Sequence, residues 1–408
     1  MSNLLYDLII RIFNIFLFIS SFFIRKNKKI IDGRKNSFNY IKKYIRSDEK
    51  LIWVHVSSVG EFEQAKPIID LIHKKESHKI LVTYFSSSAE KEVKKYKKIN
   101  YNFYLLSDKK SNTEKFFKLL NPSLIIIIKY EFWANFIKSA NNKSIPIISV
   151  SSVFRPSQIY FYKIGFFLRN TLQNINLFLV QDEKSKNLLN KINIDQVTVI
   201  GDTRYDRVLD IYNNFKRIDN IENFINNKNT IVIGSSWRND IKILKKEIER
   251  DLTDTKYIIA PHNIESDEIN YLENNFINDT IRFSELPQKN VKKRILIIDN
   301  LGMLSSIYKY CKLAYIGGGF RGALHNTLEA AVWNIPIIYG LNKNNKKFIE
   351  IQKLENNNIG FPIRNGNEFK LIKNRILKNR DIGKGGYSLV IENSGATKKI
   401  NKLISNYL

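Results

Sequence analysis

The sequence predicts an α/β protein of two doubly wound domains, each a parallel sheet with helices on both faces. Three observations carry this. Short apolar runs rich in Ile, Leu and Val alternate with segments of helical spacing, the pattern of strand-helix units. An Asn-rich polar stretch at 213–229 interrupts the alternation, which then restarts. The chain's 408 residues exceed what one ordinary core holds, so two domains of about 150 to 200 residues are expected.

The first strand is expected at 51–56, Leu51-Ile52-Trp53-Val54-His55-Val56. It runs at once into Ser57-Ser58-Val59-Gly60-Glu61, after which Phe62, Ala65, Ile69 and Ile72 keep helical spacing. Further strands are expected at 80–85, 124–128, 145–150, 177–180 and 197–200, the last ending in Gly201-Asp202-Thr203-Arg204-Tyr205-Asp206. In the second domain the runs are 231–233, 257–260, 295–298, 313–316 and 336–339. They lead into Gly234-Ser235-Ser236-Trp237, Pro261-His262, Leu301-Gly302-Met303 and Gly317-Gly318-Gly319. The predicted layout is 1–25 as a membrane-associated helix, 26–212 as the first domain, 213–228 as linker and 229–385 as the second domain. Residues 386–408 are expected to form a helix returning to the first domain. Two such domains facing across a cleft suit the joining of two substrates.

Residues 4–24 are almost wholly apolar, broken by Asp7, Arg11 and Asn14, and Arg25-Lys26-Asn27-Lys28-Lys29 follows. The run is long enough to span a bilayer with the basic cluster on the cytoplasmic side, and it equally suits an interfacial helix. Sixty-six Lys and Arg against 39 Asp and Glu give a charge of +27, which favours an anionic partner such as a membrane surface. Nucleic acid is not expected, since no recognition motif is present and the basic residues are dispersed. The single Cys311 excludes an intrachain disulfide, and five scattered histidines show no metal-site spacing. No D-x-D triplet occurs, and no metal or cofactor is expected.

Two stretches carry candidate chemistry. Glu61 opens a helix at a strand end, where open α/β sheets place their ligands. Ser58-Val59-Gly60-Glu61 fits a capping box, and the same carboxylate is placed to take a proton from a hydroxyl, being ionised at neutral pH if its pKa is ordinary. Gly317 to Gly322 satisfies G-x-G-x-x-G, but it lies late in the chain, and the next strand ends in Tyr339-Gly340-Leu341-Asn342 without the acid a dinucleotide site wants. The glycines are read instead as letting backbone N–H groups approach another phosphate, aided by a helix starting near Asn326. His325-Asn326-Thr327-Leu328-Glu329 fits an Asn-capped helix start, and Glu329 also suits the hydroxyls of a ribose.

Together these residues resemble the Kdo transferases, which move 3-deoxy-D-manno-octulosonic acid (Kdo) from CMP-Kdo to a lipid A precursor. The resemblance runs through the apolar and basic amino terminus, Ser57 to Glu61, Glu131-Phe132-Trp133, Gly201 to Asp206, Pro261-His262, Gly317 to Gly319 and His325 to Glu329. It implies the GT-B fold, with the acceptor on the first domain and CMP-Kdo on the second. It also implies an inverting transfer at the cytoplasmic face of the inner membrane, without a metal.

By that likeness Glu61 is the general base. Pro261, His262, Leu301, Gly302, Met303, Asn326, Thr327, Leu328 and Glu329 bind CMP, and Arg204 with Gly317, Gly318 and Gly319 steadies the phosphate. The chain departs from the family pattern in three places. Lys129-Tyr130-Glu131 stands where the family often has Glu-Thr-Glu, so Glu131 is the remaining acid. Arg204 replaces a lysine, and Pro261-His262-Asn263 replaces Pro-Arg-His. The alternatives are another sugar-nucleotide-dependent GT-B enzyme, a basic nucleic-acid-binding protein, or a structural membrane protein.

Overall fold

The computed structural model describes residues 2–288, 292–379 and 381–407. The chain divides into two compact units, 1–207 with 394–408, and 208–393. Each is built on one seven-stranded sheet among the described residues, and every strand pairing is parallel.

In unit 1 the strands are β1 Leu51–Val56, β2 Lys79–Tyr84, β3 Tyr101–Tyr104, β4 Pro122–Ile128, β5 Ile147–Ser152, β6 Leu177–Val180 and β7 Val197–Val199. They lie in the order β3-β2-β1-β4-β5-β6-β7. Along β1, Leu51 and Trp53 enter one core cluster while Ile52, Val54 and Val56 enter another, so both faces are covered by apolar layers. That double burial is why β1 reads as an unbroken apolar run and not as an alternation.

Unit 2 holds β8 Thr230–Ser236, β9 Lys256–Pro261, β10 Thr280–Arg282, β11 Ile295–Ile297, β12 Leu313–Ile316, β13 Ile337–Gly340 and β14 Gly360–Ile363, in the order β10-β11-β9-β8-β12-β13-β14. The chain order reverses between β1 and β4 in the first sheet and between β8 and β12 in the second. Doubly wound folds bind ligands at the carboxyl ends of the strands that flank such a reversal.

The amino terminus forms two helices, α1 Ser2–Ser21 and α2 Arg25–Tyr44. Ile10 and Leu17 of α1 are buried, whereas Leu5, Leu8, Ile12, Phe16 and Ile19 are exposed. The inner face is tied down by polar bonds: Tyr6 donates to Asp108 at 2.6 Å, and Asn135 donates to Asp7 at 2.9 Å. Residues 213–228 are not plain coil. Asp219–Ile225 is a helix of unit 2 that buries Ile221 and Phe224, an apolar pair hidden among asparagines in the sequence.

The helix Ala396–Ile404 lies in unit 1, with Ile400 and Ile404 in the core beneath one sheet face. Its start is held by Asp206, whose carboxylate accepts from Gly395 and Thr397 N–H groups at 2.6 and 2.7 Å and from the Thr397 hydroxyl at 2.8 Å.

Candidate active site

At the reversal in unit 1, β1 runs through Ser57 and Ser58 into helix α3, Val59–Lys75, and β4 runs into the turn Lys129 to Trp133. The Ser58 side chain makes no cap bond. The Glu61 carboxylate instead accepts the Ser57 N–H. The expected box is therefore half made and shifted by one residue.

Glu61 is only 6% exposed. Burial and then the charge of Glu131 push it up to about 7, against the opposing pull of Lys129, the Ser57 N–H and His55. The expectation of an ordinary ionised carboxylate thus fails: near neutrality Glu61 is poised between its two forms.

Glu131 goes the other way. Burial alone would raise it, but bonds from His55, Ser57 and Trp133 and the His55 charge bring it below the ordinary value. His55 Nε2 lies 3.0 Å from Glu131 Oε2, and Trp133 Nε1 donates to the same oxygen at 3.3 Å. Behind His55, Trp53 Nε1 donates to Thr83 Oγ1 at 2.8 Å, and His55 Nδ1 lies 2.9 Å from that hydroxyl. An ionised carboxylate only accepts, so His55 Nε2 carries a proton toward Glu131. Two neighbouring carboxylates with opposed shifts are a recurrent way of dividing acid and base roles.

Lys129 has φ +64°, a left-handed conformation that a lysine adopts only under constraint. Its N–H donates to Val150, and its carbonyl accepts from the Ser149 and Ser152 hydroxyls at 3.0 and 2.6 Å. Arg204 lies after β7. Its Nε and Nη2 fork onto Asp202 at 2.8 and 2.7 Å, and Gln64 of α3 donates to the same carboxylate at 3.0 Å. The pairing holds Asp202 below its usual range although burial opposes this.

In unit 2 the loops after β8 and β12 meet in the same topological place. Asp240, 1% exposed, gathers them: it accepts from Trp237 N–H at 2.9 Å, Gly318 N–H at 3.1 Å and the Tyr315 hydroxyl at 2.7 Å. Gly317 N–H donates to Gly234, and a Cβ on Gly317 would lie 2.2 Å from the Ser235 carbonyl oxygen. Gly318 has φ +83°. The N–H groups of Gly317 and Gly318 are thus spent inside the protein, and these two glycines serve close backbone packing, a correction to the expected phosphate cradle.

The helix expected near Asn326 is a single turn, Leu328–Ala331. Asn326 Oδ1 accepts from Leu328 N–H at 3.2 Å and its amide donates to Glu329 at 3.1 Å, which sets the local turn but gives no long helix dipole. Pro261 ends β9 opposite Ser236, and His262 stacks on Trp237 at 4.2 Å. Leu301, Gly302 and Met303 follow β11, with Gly302 at φ +95°. The Ser236 and Thr327 hydroxyls are buried without a hydrogen-bond partner, so a polar ligand at this edge would satisfy them.

The structure therefore joins Glu61 with Glu131, and His262 with the His325 segment. His55, Trp237, Asp240 and Arg321, whose guanidinium lies 4.5 Å from the Trp237 ring centre, were not legible as site residues. A histidine inside an apolar strand and a tryptophan closing one were the available signals.

Comparison with known proteins bears on this arrangement. The family model described as 3-Deoxy-D-manno-octulosonic-acid transferase (kdotransferase) matches residues 32–207. A 3-deoxy-D-manno-octulosonic acid transferase of Aquifex aeolicus is 26% identical over 337 residues, 80% of this chain and 86% of that one. The chain is a glycosyltransferase whose likeness to the Kdo transferases extends over most of its length. A bifunctional glycosyltransferase/methyltransferase of Fusobacterium nucleatum is 27% identical over 338 residues, 79% of this chain, which spans about half (52%) of that protein. Among solved structures, the UDP-GlcNAc 2-epimerase of Neisseria meningitidis bound to UDP-GlcNAc superposes with a TM-score of 0.59 at 12% identity. It covers 88% of this chain and 99% of that one, a likeness of fold alone. The parallel sheets and this likeness bear out the GT-B type of architecture.

Proposed function

We propose that this glycosyltransferase moves Kdo from CMP-Kdo onto a sugar hydroxyl of a lipid A precursor, with Glu61 as the general base. The reading rests on Glu61: a buried carboxylate at the reversal of the unit 1 sheet, raised to about 7 and flanked by the ionised Glu131. As the acceptor oxygen bonds to the anomeric carbon, its proton passes to Glu61. The anomeric bond to phosphate breaks, and CMP leaves with the electron pair. A base with pKa near 7 is ionised often enough to act at neutral pH and keeps a strong pull on the proton.

Glu131, fixed by His55, Ser57 and Trp133, supplies a standing negative charge beside Glu61 and supports the positive character that grows on the sugar ring. Unit 2 is read as the nucleotide-binding unit. The unpartnered Ser236 and Thr327 hydroxyls, the His262 and Trp237 rings, and Arg321 beside them suit a base, a ribose and a phosphate. Helix α1 is read as lying along an anionic membrane surface and not crossing it. One of its faces is docked on unit 1 through Tyr6 and Asp7, its other face is apolar, and the basic start of α2 follows.

The test is incubation of the protein with CMP-Kdo and a tetraacylated lipid A precursor, followed by mass analysis. A product heavier by Kdo residues, lost in Glu61→Gln while CMP binding persists, supports the reading. Full turnover by Glu61→Gln reduces that carboxylate to its bond with Ser57.

A further inference from the structure

At the reversal of the unit 2 sheet, between the ends of β8 and β12, Trp237 Nε1 lies 3.2 Å from His325 Nε2. The two rings are inclined by only 18° with centroids 6.4 Å apart, so they lie side by side, as an in-plane N–H to nitrogen bond requires. An indole nitrogen can only donate. His325 Nε2 must therefore present its lone pair, and in the neutral ring the proton is on Nδ1.

Both partners are held from the backbone. Asp240 grips the Trp237 N–H and the Gly318 N–H, and His325 N–H donates to the Gly317 carbonyl at 3.3 Å. Stacking fixes the ring planes further. His262 packs on Trp237 at 4.2 Å and on His325 at 4.6 Å, and the Arg321 guanidinium lies 4.5 Å from the Trp237 ring centre. Burial, and then the neighbouring His262, lower His325 to about 4, so the neutral ring prevails at physiological pH. The arrangement spends a tryptophan N–H on choosing which nitrogen of a histidine is left to donate.

We propose that Trp237 is a positioning residue that sets His325 as its Nδ1–H tautomer, so that the imidazole donates one hydrogen bond to a phosphate oxygen of the nucleotide held by unit 2. The ligand half of this proposal rests on the donor-site reading above; the tautomer half does not. A phosphate oxygen only accepts, and a histidine carrying its proton on Nε2 would meet it with a lone pair.

The experiment is nitrogen-15 spectroscopy of the full chain labelled at histidine, without nucleotide, together with CMP titration by calorimetry. The His325 signals are identified by their loss in His325→Asn. In the wild type they should show a pyrrole-type Nδ1 and a pyridine-type Nε2. Trp237→Phe keeps a ring for stacking but removes the donor. Its His325 signals should move toward the other tautomer, and its affinity for CMP should fall about tenfold, the scale of one hydrogen bond to a charged group. A wild-type spectrum with the proton on Nε2 overturns the proposal, and so does a shifted tautomer with unchanged CMP affinity. If Trp237→Phe fails to fold, the wild-type spectrum alone decides the tautomer. Wild-type protein that does not bind CMP refutes the donor-site reading and the ligand half with it.

Discussion

Glu61 and Glu131 meet at the end of β1: the Ser57 N–H donates to Glu61, and His55 Nε2, two residues earlier, lies 3.0 Å from Glu131. Their loops come from β1 and β4, adjacent strands that are far apart in the chain, and this pairing brings Glu131 close enough for its charge to raise Glu61. The activity and stability of the protein should both register that coupling.

The rate of transfer should rise with pH through about 7, because the base must be deprotonated to act. Glu131→Gln removes a charge that raises Glu61, so the acid limb of kcat/KM should move to lower pH. Lys129→Met removes a cation that lowers Glu61, so the limb should move to higher pH. A pH profile of each variant checks both signs; limbs that stay in place show that Glu61 is not the titrating group.

Glu61→Gln should lower kcat by about 10²- to 10⁴-fold, the usual scale of a lost general base. It should also stabilise the protein at alkaline pH. The folded pKa of Glu61 lies above its ordinary 4.5, so the folded state keeps a proton that the unfolded chain has lost between 4.5 and 7. The stability this carries is complete below 4.5 and is lost as pH rises through about 7. Above that the buried charge costs on the order of 1 to 3 kcal/mol, which a neutral glutamine avoids. Denaturant unfolding at pH 8 and pH 4 measures it, the gain being expected at pH 8 only.

Gly317→Ala should destabilise unit 2 by about 2 kcal/mol or more. The added Cβ would lie 2.2 Å from the Ser235 carbonyl oxygen, a contact with backbone that cannot swing aside. Ser235 is itself at φ +52° in the bulged end of β8, so the strand has little room to yield. Thermal unfolding checks this, and a melting temperature equal to the wild type would show that the turn is looser than described.

Asp206→Ala should loosen the helix Ala396–Ile404 by about 1 to 3 kcal/mol, since three donors lose their shared acceptor. Hydrogen exchange should quicken at 396–404 and leave β8 to β14 unaffected. Equal protection in the two proteins would mean that Ile400 and Ile404 hold the helix without the cap.

The interior strands were legible because both of their faces are buried, so Leu124 to Ile128 or Leu313 to Ile316 stand out as apolar runs. The strands not foreseen, Tyr101–Tyr104, Thr280–Arg282 and Gly360–Ile363, are all edges of their sheets. An edge needs only one partner, so it can be short and polar, and β14 even carries Pro362, whose missing N–H an edge tolerates.

By itself the sequence determined the interior strands and the loops that follow them, and so placed Glu61, Glu131, His262 and His325 after carboxyl ends of strands. Those are local properties of apolar runs, glycines and loop residues. Only the tertiary structure decided that Glu61 titrates near 7 while Glu131 stays ionised, that Gly317 and Gly318 spend their N–H groups on their own backbone, and that Trp237 reaches His325. Desolvation, charge and hydrogen bonding act through space between strands 70 to 90 residues apart, and the reversals in strand order bring those strands together.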